Sequence, residues 1–297
     1  MNLRTLLDSG PHAIDGGLAS ELEARGHELG DTLWSARVLA DQPGEVLAAH
    51  QAYVEAGARV LVTASYQVSR QGFIASGRVP EAADDALRAS VAIARQAAEG
   101  RDALVAASVG PYGAILHDGS EYRGRYGVSR EFLIDFHSQR LEILVSAAPD
   151  LLAIETIPDV DEISAIVEAL AAFPATPAWV SFSCRDRQST CAGQPIEEAA
   201  IVAAESPSVM AVGVNCTDPT YVSSLLGRLS VTTDLALLAY PNAGGSYDPV
   251  RGWEGVGSPN DMETVREWAS IDGVALIGGC CGVGPDQVAR IAETLRS

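Results

Sequence analysis

Short apolar or β-branched runs alternate along the chain with longer amphipathic stretches. The runs that read as strands are His12–Asp15, Arg59–Ala64, Ala103–Val109, Leu151–Glu155, Ala178–Ser183, Val209–Val214, Leu235–Tyr240 and Val274–Ile277. The stretches that read as helices are Pro43–Ala56, Glu81–Glu99, Arg130–Ala147, Asp159–Ala172, Ile196–Ala204, Pro219–Leu229, Asp261–Ala269 and Pro285–Leu295. Several open on a cap or a first-turn proline, as in Thr217-Asp218-Pro219 and Gly284-Pro285. Strands that each lead into a helix build a parallel sheet. Eight such units in 297 residues predict an α/β fold, the (β/α)8 TIM barrel. An open doubly wound sheet is the alternative, and eight units are long for it. No linker, charge run, low-complexity segment or repeat of about 20–50 residues divides the chain, so residues 1–297 read as one domain.

Three connections are long: Gly17–Gln42, Ser65–Pro80 and Pro111–Ser129. In a barrel they lie on the C-terminal face, where active sites are built. Trp34, Tyr66, Tyr122 and Tyr126 within them are therefore candidate rim residues, with simple packing as the alternative for each.

Charge and composition narrow the chemistry. The formal net charge is −19, from 20 basic and 39 acidic residues. A polyanion is a poor partner for such a surface, and a cationic small substrate is a good one. All the basic residues are Arg. The absence of Lys excludes a lysine Schiff base, covalent pyridoxal phosphate and the Walker A loop. No apolar run reaches the roughly 20 residues of a membrane helix. The start, Met1-Asn2-Leu3-Arg4, does not have the layout of a signal peptide, which leads to the expectation of a cytoplasmic protein.

The cysteines carry the sharpest signal. There are five, Cys184, Cys191, Cys216, Cys280 and Cys281, and an odd number does not suggest a disulfide scaffold. Cys216 closes the sixth strand run, in Gly213-Val214-Asn215-Cys216. Cys280 and Cys281 follow the eighth, in Gly278-Gly279-Cys280-Cys281-Gly282. Strands six and eight are next-nearest neighbours in an eight-stranded barrel, so the three sulfurs can converge at its mouth. Three thiolates suit Zn²⁺ and leave a fourth tetrahedral position open, which is a catalytic arrangement. Adjacent side chains on a strand diverge. The flanking Gly278, Gly279 and Gly282 can take positive φ and turn both thiols to one point. Buried packing, a vicinal disulfide and a nucleophilic Cys remain alternatives. Cys184 and Cys191 read as packing residues, and His50 as a satisfied core or interface histidine. Asp15 and Glu155, both carboxylates at strand ends, read on their own as capping or surface salt-bridge residues, although such a pair is also suited to an ammonium group.

At this point the chain resembles the homocysteine S-methyltransferase family. The resemblance runs through Asp15–Glu23, Leu33–Ala36, Thr63–Gln67, His117–Tyr122, Glu155-Thr156, Gly213–Cys216, Tyr240–Gly244 and Gly278–Gly282. It implies a (β/α)8 barrel and one zinc ion per chain on Cys216, Cys280 and Cys281. It places Asp15 and Glu155 where the family holds the homocysteine amino group. The Thr63–Gln67 segment falls near the family's contacts to the amino-acid carboxylate, making Tyr66 and Gln67 substrate-binding candidates, and Asn242 is expected to line the site. The implied partners are homocysteine and a sulfonium methyl donor, S-methylmethionine before S-adenosylmethionine, with methionine as product. No nucleic acid, membrane or protein partner is implied. Alternatives are a selenocysteine or other thiol methyltransferase of the same fold, and a non-catalytic zinc protein with Cys184 or Cys191 as fourth ligand. A hydrolase with a Cys nucleophile is a third.

Overall fold

The parallel strands of the chain follow one another around a ring. They are β1 (His12–Ala13), β2 (Val60–Val62), β3 (Leu104–Val109), β4 (Leu151–Ile157), β5 (Ala178–Phe182), β6 (Val209–Asn215), β7 (Ala236–Tyr240) and β8 (Val274–Ile277). Their hydrogen-bonded order is β1-β8-β7-β6-β5-β4-β3-β2. The two ends of that sheet meet. Asp15 N donates to Val60 O at 3.1 Å, and Arg59 N donates to Ala13 O at 2.7 Å. The result is a nearly closed (β/α)8 barrel in a computed structural model that describes residues 1–27, 35–244, 246–248, 252–254 and 262–297.

The strand sequences explain the layering. β3, β4 and β5 are buried at every position, as expected of parallel strands covered on both faces. Alternate residues then split between two cores. Leu104, Ala106, Leu151, Ala153, Trp179, Ala211, Leu238 and Leu276 fill the barrel interior with Ile14 and Tyr240. Val105, Ala107, Leu152, Ile154, Val180, Val212 and Leu237 pack outward under the helices. Leu3 and Leu6, on the first helix Leu3–Leu7, join the interior group beside Val60, Leu104 and Leu151. These are first residues of their strands, so the helix closes the N-terminal end.

The main helices match the amphipathic stretches to within one or two residues: Pro43–Glu55, Pro80–Ala97, Arg130–Ser146, Val160–Leu170, Ile196–Ala203, Pro219–Leu229, Met262–Ala269 and Pro285–Arg296. Ser129, Asp159 and Asp218 cap three of them through their side chains. The long connections hold structure that periodicity did not signal. Helices Leu18–Ala24, Ser35–Asp41 and Arg70–Ala75 and the 3₁₀ turns Tyr112–Ile115 and Ser120–Tyr122 lie there. Ser246–Asp248 and Gly252–Glu254 pair as a small antiparallel hairpin. No described helix is long and apolar enough to cross a membrane.

Two expectations change. His50 is fully buried on Pro43–Glu55, yet neither ring nitrogen has a hydrogen-bond partner, so it is not a satisfied core histidine. Tyr126 is no free rim residue: its hydroxyl donates to Glu162 Oε2 at 2.8 Å. Glu162 also accepts from Tyr112 N at 2.6 Å and bonds His137 Nε2 at 2.9 Å. That buried knot ties the connection after β3 to the neighbouring helices. Trp34 lies outside the described residues.

Candidate metal and substrate site

The site is assembled where strands end. β6 stops at Asn215, and Cys216 turns out of it with φ 45°. Its N–H donates to Tyr240 O at 3.3 Å. After β8 the chain makes a tight turn in which Val283 N donates to Cys280 O at 3.0 Å and Gly282 sits at φ 79°. A positive φ at the third residue of such a turn is where glycine is required. Ser20 Oγ accepts from Gly282 N at 2.7 Å, and Cys281 O accepts from Ala243 N at 2.8 Å.

Gly278 and Gly279 do not adopt positive φ, contrary to the sequence expectation. Their function is close approach: a Cβ on Gly278 would stand 2.4 Å from Ile14 Cγ1, and one on Gly279 would stand 2.1 Å from Val283 Cγ1. The turn is pressed against β1 and its own return segment, and Gly282 alone supplies the kink.

This geometry brings the sulfurs of Cys216, Cys280 and Cys281 within 4.8 Å of one another. The Cys280 and Cys281 sulfurs are 3.9 Å apart. A tetrahedral zinc with Zn–S of about 2.3 Å sets its sulfurs about 3.8 Å apart, so the donor set fits. Hydrogen bonds from the Cys280 and Cys281 thiols draw the Cys216 thiol down against the effect of burial, with Thr156 and Tyr122 assisting. The Cys280 thiol is held up by its bonds to the other two, by burial and by their charge. Cys216 ionises readily, and Cys280 resists. A divalent cation removes that conflict. Cys184 is buried in the outer core and Cys191 bonds Ser183; neither joins the cluster among the described residues.

Two buried carboxylates stand beside the sulfurs. Asp15 Oδ2 accepts from Val62 N at 2.7 Å. Glu155 accepts from the Ser108 hydroxyl and, at 3.2 Å, from the Tyr240 hydroxyl. Burial pushes both carboxyls up, Glu155 to about 7, and the charge of Glu155 adds to the rise at Asp15. Neither has an ion-pair partner among the described residues. A cationic group would relieve both.

β4 explains how Glu155 is aimed. Ile154 pairs with Val180, but Ile157 pairs with Phe182, so β4 carries one extra residue, a bulge. Glu155 and Thr156 occupy it, with Thr156 at φ 60°. Asn215 Oδ1 accepts from Thr156 N at 2.7 Å, and its Nδ2 donates to Thr156 Oγ1 at 2.7 Å. Ser181 Oγ donates to the same Oδ1 at 2.8 Å.

The remaining candidates divide. Tyr66 is half-buried among the charges of Glu121, Cys216 and Glu155, with its hydroxyl bonded to the Thr156 side chain. Tyr122 bonds Cys216. Gln67 points its Nε2 at Ala114 O, 3.2 Å away, and its Oε1 has no partner. Asn242 is buried, with its N–H on Thr217 O at 3.1 Å and its Oδ1 without a partner.

Sequence reasoning missed Asn215, Thr156, Glu121 and Arg140 as residues of the site. Arg140 lies on helix Arg130–Ser146, where an Arg normally faces water. Here it is buried and donates to Gly110 O at 2.7 Å, Ser65 O at 3.3 Å and Tyr66 O at 2.8 Å. It therefore clamps the chain ends after β2 and β3. Burial draws its guanidinium down to about 10.

Comparison with known proteins agrees with this picture. The family model described as homocysteine S-methyltransferase matches residues 13–295. Homocysteine S-methyltransferase 3 of Zea mays is 42% identical over 302 residues, covering 95% of this chain and 89% of that protein. A selenocysteine Se-methyltransferase of Brassica oleracea is 40% identical, covering 98% and 91%. The metallated crystal structure of the Escherichia coli homocysteine methyltransferase MmuM superposes with a TM-score of 0.88 at 40% identity, covering 99% of each chain.

Proposed function

The chain belongs to the homocysteine S-methyltransferase family, and on that premise we propose that it methylates homocysteine to methionine at a zinc ion held by Cys216, Cys280 and Cys281. The donor in this reading is S-methylmethionine, with S-adenosylmethionine a poorer one. One observation carries it: three sulfurs within 4.8 Å share the barrel mouth with a buried acidic pair that has no ion-pair partner among the described residues.

Zinc bound there would lower the pKa of the substrate thiol, otherwise near 8.5, and supply it as a thiolate. The chain's own residues do the rest. Asp15 and Glu155 hold the homocysteine ammonium. Their bonds to Val62 N, Ser108 and Tyr240 fix where its charge sits. Tyr66, Gln67 and Asn242 line the amino-acid cavity, and Arg140 occupies the carbonyls of Ser65 and Tyr66. Held collinear, the new C–S bond forms as the donor's C–S bond breaks, and the sulfonium leaves as a neutral thioether. No protein base at sulfur is needed. The five cysteines are free of disulfide bonds, which suits the cytoplasmic, reducing compartment of this reading.

A purely structural zinc site needs a fourth protein ligand, and neither Cys184 nor Cys191 joins the cluster among the described residues, which favours the open site. X-ray absorption of the zinc-loaded protein separates the readings. Three sulfurs and one light atom, becoming four sulfurs on adding homocysteine, support the enzyme. Four sulfurs from the start would reject it. The Brassica relative makes selenocysteine worth including as a competing acceptor.

A further inference from the structure

A third carboxylate, electrostatically linked to Cys216, has one oxygen without a hydrogen-bond partner among the described residues. Glu121 sits on the 3₁₀ turn Ser120–Tyr122 after β3 and is 8% exposed. Its carboxyl is turned toward its own backbone N–H, and its Oε2 has no hydrogen-bond partner among the described residues. The next residue, Tyr122, bonds Cys216. Gln67 hangs on the same connection through Ala114 O. Gly113, next to Ala114, packs against the Glu121 amide: a Cβ there would stand 2.5 Å from it. With its Nε2 so engaged, the free end of Gln67 is Oε1, which has no partner either.

Both orphan atoms are acceptors. A buried acceptor without a donor is a standing cost that a ligand carrying N–H groups removes. The charge relations separate this pair from the first. Asp15 feels Glu155, whereas Glu121 feels Cys216, Asp118 and Arg123. Cys216 acts on Glu155 and on Glu121 alike, and Tyr66 feels both carboxylates. The mouth thus has two carboxylate poles that share the sulfur cluster, and burial pushes the Glu121 carboxyl up to about 7, as it does Glu155, so that a cationic ligand would favour the ionised form of each.

We infer that Glu121, on the loop after β3, binds the α-ammonium of the methyl donor, forming a second amino-acid subsite apart from the Asp15/Glu155 pole. The inference rests on the proposed function above and names the donor class: sulfonium amino acids. A carboxylate set against the sulfonium itself would stabilise the ground state, because that charge disappears in the reaction. Set against the ammonium, which keeps its charge, it binds donor and transition state equally.

The test compares S-methylmethionine with dimethylsulfonioacetate, a sulfonium donor without an amino group. In the zinc-loaded Glu121→Gln protein, KM for S-methylmethionine should rise about tenfold or more, as expected for loss of a charge-assisted contact. Turnover at saturating donor, KM for homocysteine, zinc content and all constants for dimethylsulfonioacetate should stay at wild-type values. Calorimetric titration with S-methylmethionine should show the same weakening, and Glu121→Asp should recover part of it. An equal loss for both sulfonium donors, a parallel loss for homocysteine, or no change at all would overturn the inference. A wild-type protein that ignores S-methylmethionine but uses another donor would instead fail the donor reading itself, and this subsite with it.

Discussion

Asn215 grips Thr156 from both sides, accepting from its backbone N–H and donating to its Oγ1, each at 2.7 Å. Each residue adjoins a part of the site. Thr156 follows Glu155 in the β4 bulge, and Asn215 precedes Cys216. Thr156 and Cys216 both sit at positive φ, a conformation that costs a residue with a side chain about 1–3 kcal/mol and persists only where its surroundings enforce it. One amide therefore sets the aim of the Glu155 carboxylate and of the Cys216 sulfur.

Asn215→Ala should accordingly lower zinc stoichiometry and homocysteine affinity together. It leaves the Thr156 N–H buried without a partner, for a stability loss of about 1–3 kcal/mol. Metal analysis, homocysteine titration and thermal melting measure the three effects. A variant that keeps full zinc and homocysteine affinity would show that the bulge and Cys216 are held independently.

Cys216→Ala, Cys280→Ala and Cys281→Ala should each abolish zinc retention and methyl transfer, since two thiolates leave an incomplete site. Cys184→Ala and Cys191→Ala should leave zinc stoichiometry unchanged, because both lie outside the cluster. Chelation of the wild-type protein should stop turnover, and added zinc should restore it. Activity that survives chelation would point to a cysteine nucleophile instead.

Glu155→Gln and Asp15→Asn should weaken homocysteine while leaving zinc in place. A hydrogen bond to a charged group contributes about 1.5–3 kcal/mol, so KM should rise about tenfold or more. Thiols without an amino group report on the cause. They should be affected far less, and an equal loss for both classes would assign the carboxylates to fold or metal.

Much of this was legible along the chain because the signals are local. Burial on both faces makes the strands near-continuous apolar runs, and the amphipathic stretches give the helices their period. Cys216, Cys280 and Cys281 stand out by their place after strands. What escaped depends on contacts distant in sequence. The β4 bulge exists through Asn215, 59 residues away from Thr156. Arg140 reaches Tyr66 across 74 residues, and nothing in its helix marks it as buried. Gly278 and Gly279 were expected to bend the chain; their lack of a Cβ matters instead because Ile14 and Val283 press against them.

The unpartnered His50 gives the protein a specific acid sensitivity. Burial draws its pKa from 6.5 down to about 4, so it is neutral in the fold and charges more easily when unfolded. Its contribution is present above pH 6.5 and is lost as pH falls from 6.5 toward 4. The loss totals about 3 kcal/mol at 1.36 kcal/mol per unit. His50→Met should flatten the fall in melting temperature across that window relative to wild type. Parallel curves would mean that His50 does not drive it.

Product formation by the purified, zinc-loaded protein tests the central claim most directly. Homocysteine is incubated with S-methylmethionine, S-adenosylmethionine, betaine or methylcobalamin at matched concentration, with chelated protein as the blank, and methionine is measured. S-methylmethionine should yield two methionines per transfer, one from the methylated acceptor and one from the demethylated donor. S-adenosylmethionine should be slower, and betaine should give none, because an amine is a far poorer leaving group than a neutral thioether. Robust turnover with betaine or methylcobalamin would contradict the donor assignment, and no zinc-dependent methionine from any donor would contradict the account as a whole.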